Sequence, residues 1–370
     1  MPAESREDLR SVSHPIITAA EAACALGDTL DSSLANWQAG HSGLTLQEGL
    51  LAGRIADRKL LKGRRYGAAS NLAVQVARRA TTKAGWTEEE TRKSWLFAAS
   101  SRGNAAELLR TNAWRRPSKR FSASNTLHSE IAAAVSIELG IQGPWQMISN
   151  GCSSGLDALG LAWMALKAGV TERVLVVAVD LPLQEDLLRD FHHTRILATH
   201  VINDPLSPQT TGFHPGEAGV ALTLELSGTG PRVTRYAANS DAYDSLVIPE
   251  DGATLAALLA QFEKPDLICP HATGTPNHAV AEVNALRAAF STIPPLLLMK
   301  PFTGHTLGAS GLLDVALISA AMRQASLPKN LPHLSHPTDI SLETPQNPAR
   351  ILKIASGMGG HNAAVMLANA

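Results

Sequence analysis

The run Arg173-Val174-Leu175-Val176-Val177-Ala178-Val179 is apolar on both faces. A strand made from it must be covered on both sides, which confines the chain to a layered fold with a sheet in its interior. Just before it, residues 156–169 are apolar almost all round over a helical length, with Gly169 placed as the stop; such a helix has to be buried. Elsewhere short β-branched runs alternate with Ala- and Leu-rich runs, the pattern of an α/β protein. A strand is expected over 218–226. After it come a strand near 233–237, a helix over 253–262, a strand over 267–269, a helix over 280–290, a strand over 296–299 and a helix over 308–323. Ser227-Gly228-Thr229-Gly230-Pro231 is the most loop-like stretch of mid-chain. The expected division is therefore 1–230 and 231–370. Cys152-Ser153-Ser154-Gly155 opens a buried helix in the first half and His305-Thr306-Leu307-Gly308 opens one in the second, a hint of duplicated architecture.

With 370 residues, 45% of them hydrophobic, the chain can bury one large or two moderate cores. A net charge of −1 gives no global case for nucleic acid, so an acidic partner would have to meet a local basic patch. Two basic stretches offer one, Arg54 to Arg65 and Arg110 to Arg120. Each reads either as a solvated face or as a landing site for an acidic carrier or a phosphate. Three scattered cysteines, Cys24, Cys152 and Cys269, are too few for a disulfide framework or a four-thiolate zinc site. A reducing cytoplasm fits them. The N-terminus lacks the basic start and apolar stretch of a secretory signal, and no run approaches the roughly 18 apolar residues of a spanning helix. A soluble, cytoplasmic protein is expected.

The chemistry centres on Ser149-Asn150-Gly151-Cys152-Ser153-Ser154-Gly155, which places one thiol between a strand-like run and a helix. A helix N-terminus lowers a thiol pKa, and the thiolate is the nucleophile. A lone cysteine is as often a buried, inert residue, the reading adopted for Cys24 and Cys269. Small neighbours let a substrate carbonyl come within about 3 Å of sulfur and a backbone N–H. Gly357-Met358-Gly359-Gly360 is a second glycine run able to supply such donors, or a plain tight turn. His271 and His305 lie in the glycine-bordered motifs 270–275 and 300–311; together with a thiol they suit covalent acyl transfer. Metal binding is disfavoured, because His271 and His278 are seven apart and no short-spaced ligand pair accompanies them. Gly151 to Gly155 also spells G-x-S-x-G, the nucleophile elbow of serine hydrolases, which would make Ser153 the nucleophile and leave both histidine motifs unexplained.

Taken together these motifs resemble the β-ketoacyl-acyl-carrier-protein synthases of the thiolase-like fold, in particular the elongating Cys-His-His type. The likeness extends from Thr29–Gly43 through Gly143-Pro144, Gly216-Glu217-Ala218-Gly219 and Asn239 to Tyr243, ending in Gly359-Gly360-His361-Asn362. It implies two similar α/β halves stacked as five alternating α-β-α-β-α layers, the first carrying the nucleophile and the second both histidines. It also implies decarboxylative Claisen condensation of an acyl group on Cys152 with a malonyl-carrier thioester. The oxyanion hole would be formed by the backbone N–H groups of Cys152 and Met358, and His271 and His305 would polarise the malonyl carbonyl. Lys300 would be paired with Glu282 to order the site. Met358, Thr273, Thr275, Gly357 and Gly359 would form the gate and substrate surface. The implied partners are acyl carrier protein and a second synthase subunit in a homo- or heterodimer, with no metal or redox cofactor required. The alternatives are a non-condensing partner subunit of the chain-length-factor kind, or an acyltransferase to an alcohol, amine or water. This chain departs from the family pattern at Ala272, Ala279 and Met358, and its 179–216 stretch is shorter.

Overall fold

The computed structural model describes residues 13–47, 49–109, 121–201 and 204–369. The second basic stretch, Arg110 to Arg120, lies outside the described residues. In chain order the first elements are β1 (Ile16–Cys24), α1 (Leu30–Gln38), β2 (Thr45–Gln47), β3 (Leu50–Ala52), α2 (Ala68–Lys83), α3 (Glu88–Lys93), β4 (Trp95–Ala99) and α4 (Ala105–Leu108). Then follow α5 (Ser122–Asn125), α6 (Glu130–Leu139), β5 (Trp145–Ile148), α7 (Ser154–Lys167), β6 (Arg173–Asp180), α8 (Glu185–His193) and β7 (Ala218–Glu225). The remaining elements are β8 (Arg232–Ser240), α9 (Ala253–Leu259), β9 (Leu267–Cys269), α10 (Pro276–Ala289), α11 (Lys300–Thr303), α12 (Ser310–Arg323), β10 (Arg350–Gly357) and β11 (His361–Ala368).

Local chemistry explains most boundaries. The chain turns away after α7 where Gly169 takes φ +66°. Helix α10 begins at Pro276, four residues before the expected start, because proline fits a first turn whose N–H needs no partner. The strand expected over 296–299 shrinks to one bridge, Leu296 to Ile268. Leu298 N–H is drawn off instead by the side chain of Asn330, at 2.8 Å.

The strand order is β5-β4-β6-β7-β1-β8-β11-β10-β9, but β1 and β8 meet only through the pair Ile16–Arg232. The sheet therefore reads as two units. In the first the order is β1-β7-β6-β4-β5, with antiparallel, antiparallel, parallel and parallel neighbours. In the second, β8-β11-β10-β9 and then the Leu296 bridge repeat both the order and the directions. This is the duplication hinted at by the two helix-opening motifs.

Successive residues of β6 enter different cores, as expected for a strand apolar on both faces. Val174, Val176 and Ala178 pack with α7 and α12, while Leu175, Val177 and Val179 pack with α2 and α6. On the other side Leu352 and Ile354 of β10 pack with α9 and α10. The layers are thus α2/α6, first sheet, α7/α12, second sheet, α9/α10, in agreement with the thiolase-like expectation.

Both central helices are preceded by a single 3₁₀ turn, Gly151–Ser153 before α7 and Leu307–Ala309 before α12. Each turn starts at a positive φ, +66° at Gly151 and +46° at Leu307. By element, then, Cys152 corresponds to Gly308. His305 lies three residues before that position, in the segment that leads into the second turn.

Candidate active site

The Cys152 turn and the Leu307 turn are brought together by the two central helices. A Cβ on Gly155 would lie 2.7 Å from the carbonyl oxygen of Gly308, so only glycine permits this approach. The Leu307 turn is fastened from another side. Asp180, at the end of β6, accepts from Gly308 N–H at 2.8 Å, and from the Ser100 hydroxyl and the N–H groups of Ser101 and Arg102. His305 is held by its backbone: its N–H donates to His214 O at 2.7 Å and its carbonyl accepts from Gly216 N–H at 3.0 Å. That explains why the Gly216 motif belongs to the site although it contributes no side chain. The result is a contact of 3.1 Å between His305 Nε2 and Cys152 Sγ.

His271 leaves β9 through Pro270. Its N–H donates to Glu282 Oε1 at 2.6 Å, and Ala272 N–H, on a residue at φ +41°, donates to Glu282 Oε2 at 2.8 Å. The imidazoles of His271 and His305 stand edge to face with centroids 5.2 Å apart. On its far side His271 meets a third ring, His278, at 4.9 Å. The β10–β11 turn closes the site: Met358 N–H hydrogen-bonds Cys152, and a Cβ on Gly151 would sit 3.3 Å from Met358 O. Cys152, His271, His278, His305, Thr273, Thr275, Gly357 and Met358 line one cavity of about 260 Å³, whose apolar wall includes Phe191, Ile196, Phe213 and Leu307.

Burial dominates the electrostatics. It pushes the Cys152 thiol up to about 12, with Asp180 adding to the rise, while Arg102, Lys300 and the Met358 N–H oppose it. The expected lowering by the helix terminus is therefore overturned in the free protein. Desolvation outweighs the dipole, and the thiol keeps its proton. Burial likewise holds His271 and His305 well below the ordinary imidazole value, helped by neighbouring histidines and by Lys300 and Lys353. Both rings are neutral at pH 7, and each presents one N–H donor.

Behind the histidines Lys300 does not pair with Glu282, as the resemblance implied, but with Asp314, Nζ to Oδ2 at 2.9 Å. The reason is topological: Glu282, on α10, is taken up by the backbone of His271 and Ala272, whereas Asp314 on α12 faces α11 directly. Lys353, fully buried on β10, binds the same Asp314 oxygen at 2.5 Å. Burial works against Asp314, yet the two ammonium groups hold its carboxyl below the usual range.

The "Beta-ketoacyl synthase, N-terminal domain" model matches residues 51–228, and the "Beta-ketoacyl synthase, C-terminal domain" model matches residues 232–333. The chain belongs to the β-ketoacyl synthase family. Among curated relatives of this chain, a "Putative polyketide beta-ketoacyl synthase 1" of Streptomyces cyaneus is 28% identical over 271 residues, covering 65% of this chain and 64% of the relative. The chain thus spans somewhat under two thirds of that relative's length. A "3-oxoacyl-[acyl-carrier-protein] synthase 2" of Mycobacterium leprae is 24% identical over 338 residues, covering 82% and 80%. Two solved structures share the fold. A ketosynthase in complex with its type II polyketide acyl-carrier protein and bound to the hexaketide has TM-score 0.86, 21% identity and coverage of 97% and 100%. The ishigamide ketosynthase/chain length factor has TM-score 0.87, 18% identity and the same coverage.

Of the site residues read from the sequence, Cys152, His271, His305, Thr273, Thr275, Gly357 and Met358 meet at the cavity. Lys300 and Glu282 do not line it: Glu282 accepts from the N–H groups of His271 and Ala272, and Lys300 pairs with Asp314. Gly359 is exposed outside the cavity, its N–H donating to Ser245 O at 3.0 Å, so it is a turn residue rather than part of the gate. Sequence reasoning missed His278, Asp314 and Lys353. His278 was legible in principle: it lies on the first turn of α10, four residues before Glu282, facing the same way. Lys353 in an apolar strand and Asp314 in an apolar helix were each a charge in a core run.

The competing chemistries fare poorly at this site. Ser153 is fully buried and donates to Asn150 O and Asp157, not to a histidine, so the elbow reading fails. Cys152, His271 and His305 offer ligand atoms within 4.8 Å of one another, a geometry open to a divalent ion. However, among the described residues Nδ1 of His271 and Nδ1 of His305 have no hydrogen-bond partner, whereas metal-bound imidazoles are oriented by one. Among the described residues no helix is long and apolar enough to cross a membrane.

Proposed function

We propose that the protein is a carrier-dependent condensing enzyme that builds β-ketoacyl thioesters for fatty acid, polyketide or related specialised-metabolite synthesis. The observation that carries this reading is the Cys152–His305 contact beside a second neutral imidazole at the end of one cavity. In the first half-reaction Cys152 sulfur attacks a carrier-bound thioester and the carrier's C–S bond breaks. The cysteine proton, relayed by His305, ends on the departing thiol. The N–H groups of Cys152 and Met358 receive the oxyanion. In the second, a malonyl thioester loses carbon dioxide, and the electron pair of the broken C–C bond becomes an enolate. Its oxygen accepts from the N–H of His271 and from His305 in its Nε2–H tautomer. The enolate carbon then attacks acyl-Cys152, and the released thiolate takes up one proton.

The partners of this reaction are acyl carrier proteins bearing acyl and malonyl groups, with Met358 at the gate and the exposed part of the Arg54 to Arg65 stretch as one basic landing surface. Arg58 of that stretch is taken by Glu217; Lys59, Lys62 and Arg64 are exposed. We assign the halves as 1–230 and 231–370, and infer a cytoplasmic homo- or heterodimer. Strand β5 ends the sheet with its outer edge unpaired and Trp145 exposed, an edge open to a second chain.

Intact-mass measurement with a panel of acyl-carriers tests the reading. Wild type gains one acyl group and Cys152→Ala gains none; an adduct that persists in the alanine variant sinks the assignment. A chain-length-factor-like subunit would take up no acyl group, and a transferase to alcohol, amine or water would acylate without releasing carbon dioxide from malonyl-carrier.

A further inference from the structure

Lys353 stands mid-strand in β10 between Ile351, Leu352, Ile354 and Ala355 and is wholly removed from water. A buried ammonium is retained only where its donors are satisfied and its charge is met. Its partners are Asp314, the carbonyl of Pro270 at 3.0 Å and the sulfur of Cys269 at 3.5 Å.

The Pro270 contact carries the functional content. Pro270 C=O and His271 N–H belong to one peptide group: its oxygen faces Lys353, while its N–H faces Glu282 at 2.6 Å. A cation at the oxygen and a carboxylate at the N–H both match the peptide dipole, so the group is gripped at its two ends by opposite charges. The grip matters because the His271 ring has no anchor of its own. Its Nδ1 has no hydrogen-bond partner among the described residues, and its ring neighbours are the imidazoles of His278 and His305. The next residue, Ala272, is held at φ +41°, a conformation an alanine keeps only under constraint. Lys353 also shares Asp314 Oδ2 with Lys300, which begins the turn leading through Gly304 to His305.

We propose that Lys353 is a positioning residue for the condensation step: together with Glu282 it clamps the Pro270–His271 peptide, aiming the His271 imidazole at the malonyl thioester oxygen. Acyl transfer to Cys152 works through His305 and does not need this aim. The inference deepens the condensing reading and rests on it.

The test compares the two half-reactions in Lys353→Met and Lys353→Arg. In the Met variant, acylation of Cys152 by intact mass stays within about threefold of wild type. Carbon dioxide release from malonyl-carrier falls about thirtyfold in kcat, with KM within about twofold, and the Arg variant recovers part of the loss. Equal losses in both half-reactions, or unchanged decarboxylation, would overturn the proposal. If the Met variant does not fold, Lys353→Gln, which keeps a donor for Pro270, is judged by the same comparison: a selective loss of decarboxylation supports the clamp, and an equal loss or none overturns it. Wild type that neither acylates Cys152 nor releases carbon dioxide would instead refute the condensing function itself.

Discussion

At Cys152 two effects oppose each other, since the start of α7 favours a thiolate while removal from water pushes the thiol up to about 12, and the second prevails. On the proposed reading, the thiolate forms only as its proton moves towards His305. The same burial keeps His271 and His305 below the ordinary imidazole value, which has a consequence for stability. As pH falls through the unfolded value of about 6.5, the unfolded chain takes up protons that the folded one refuses, so stability present above that pH is lost below it. The expected slope is up to about 1.4 kcal/mol per pH unit for each such histidine. Urea midpoints measured from pH 7.5 down to 5.5 should fall, and fall less steeply in His271→Asn. Asp314 supplies a second prediction at this scale. Asp314→Asn leaves Lys300 and Lys353 buried without their shared counter-charge. It should cost about 3–5 kcal/mol in urea unfolding; a loss below about 1 kcal/mol would mean that other groups neutralise the pair.

Among the elements, α7 and α12 decide the site, because their opening turns carry Cys152 and follow His305. Their spacing depends on Gly155, whose place a side chain would contest with the Gly308 carbonyl and with Leu312. Gly155→Ala should therefore cost about 1–3 kcal/mol. It should also slow acylation of Cys152 more than it lowers the melting temperature would explain, read by thermal denaturation alongside intact-mass kinetics. Elements with an unbroken apolar pattern, such as β6, β7 and α12, were legible because their burial is written in consecutive residues. Residues 296–299 read as a strand because their composition is that of one, but Asn330, 32 positions away from Leu298, takes the backbone N–H a strand would use. Composition cannot register such a competitor.

For the whole molecule, the decisive fact is that the central core belongs to both halves. Residues of β1, β4, β6, β7 and α7 pack in one cluster with α12, β10 and β11. Residues 1–228 expressed alone should consequently show no cooperative thermal transition, since they would expose the face that α12 covers; a sharp melt would show that the halves fold independently. The sequence by itself determined the layered α/β class, hinted at the duplicated plan and singled out Cys152, His271 and His305 as the candidates that line one cavity, because burial patterns and small-residue turns are local properties of the chain. Tertiary structure alone decided that Lys300 answers to Asp314 and not Glu282, that Lys353 joins them, and that Gly359 falls outside the cavity. The ion pairs set residues on three different elements, α11, α12 and β10, within hydrogen-bonding distance. Side-chain type and spacing along one element carry no information about which neighbour a folded layer will place opposite it.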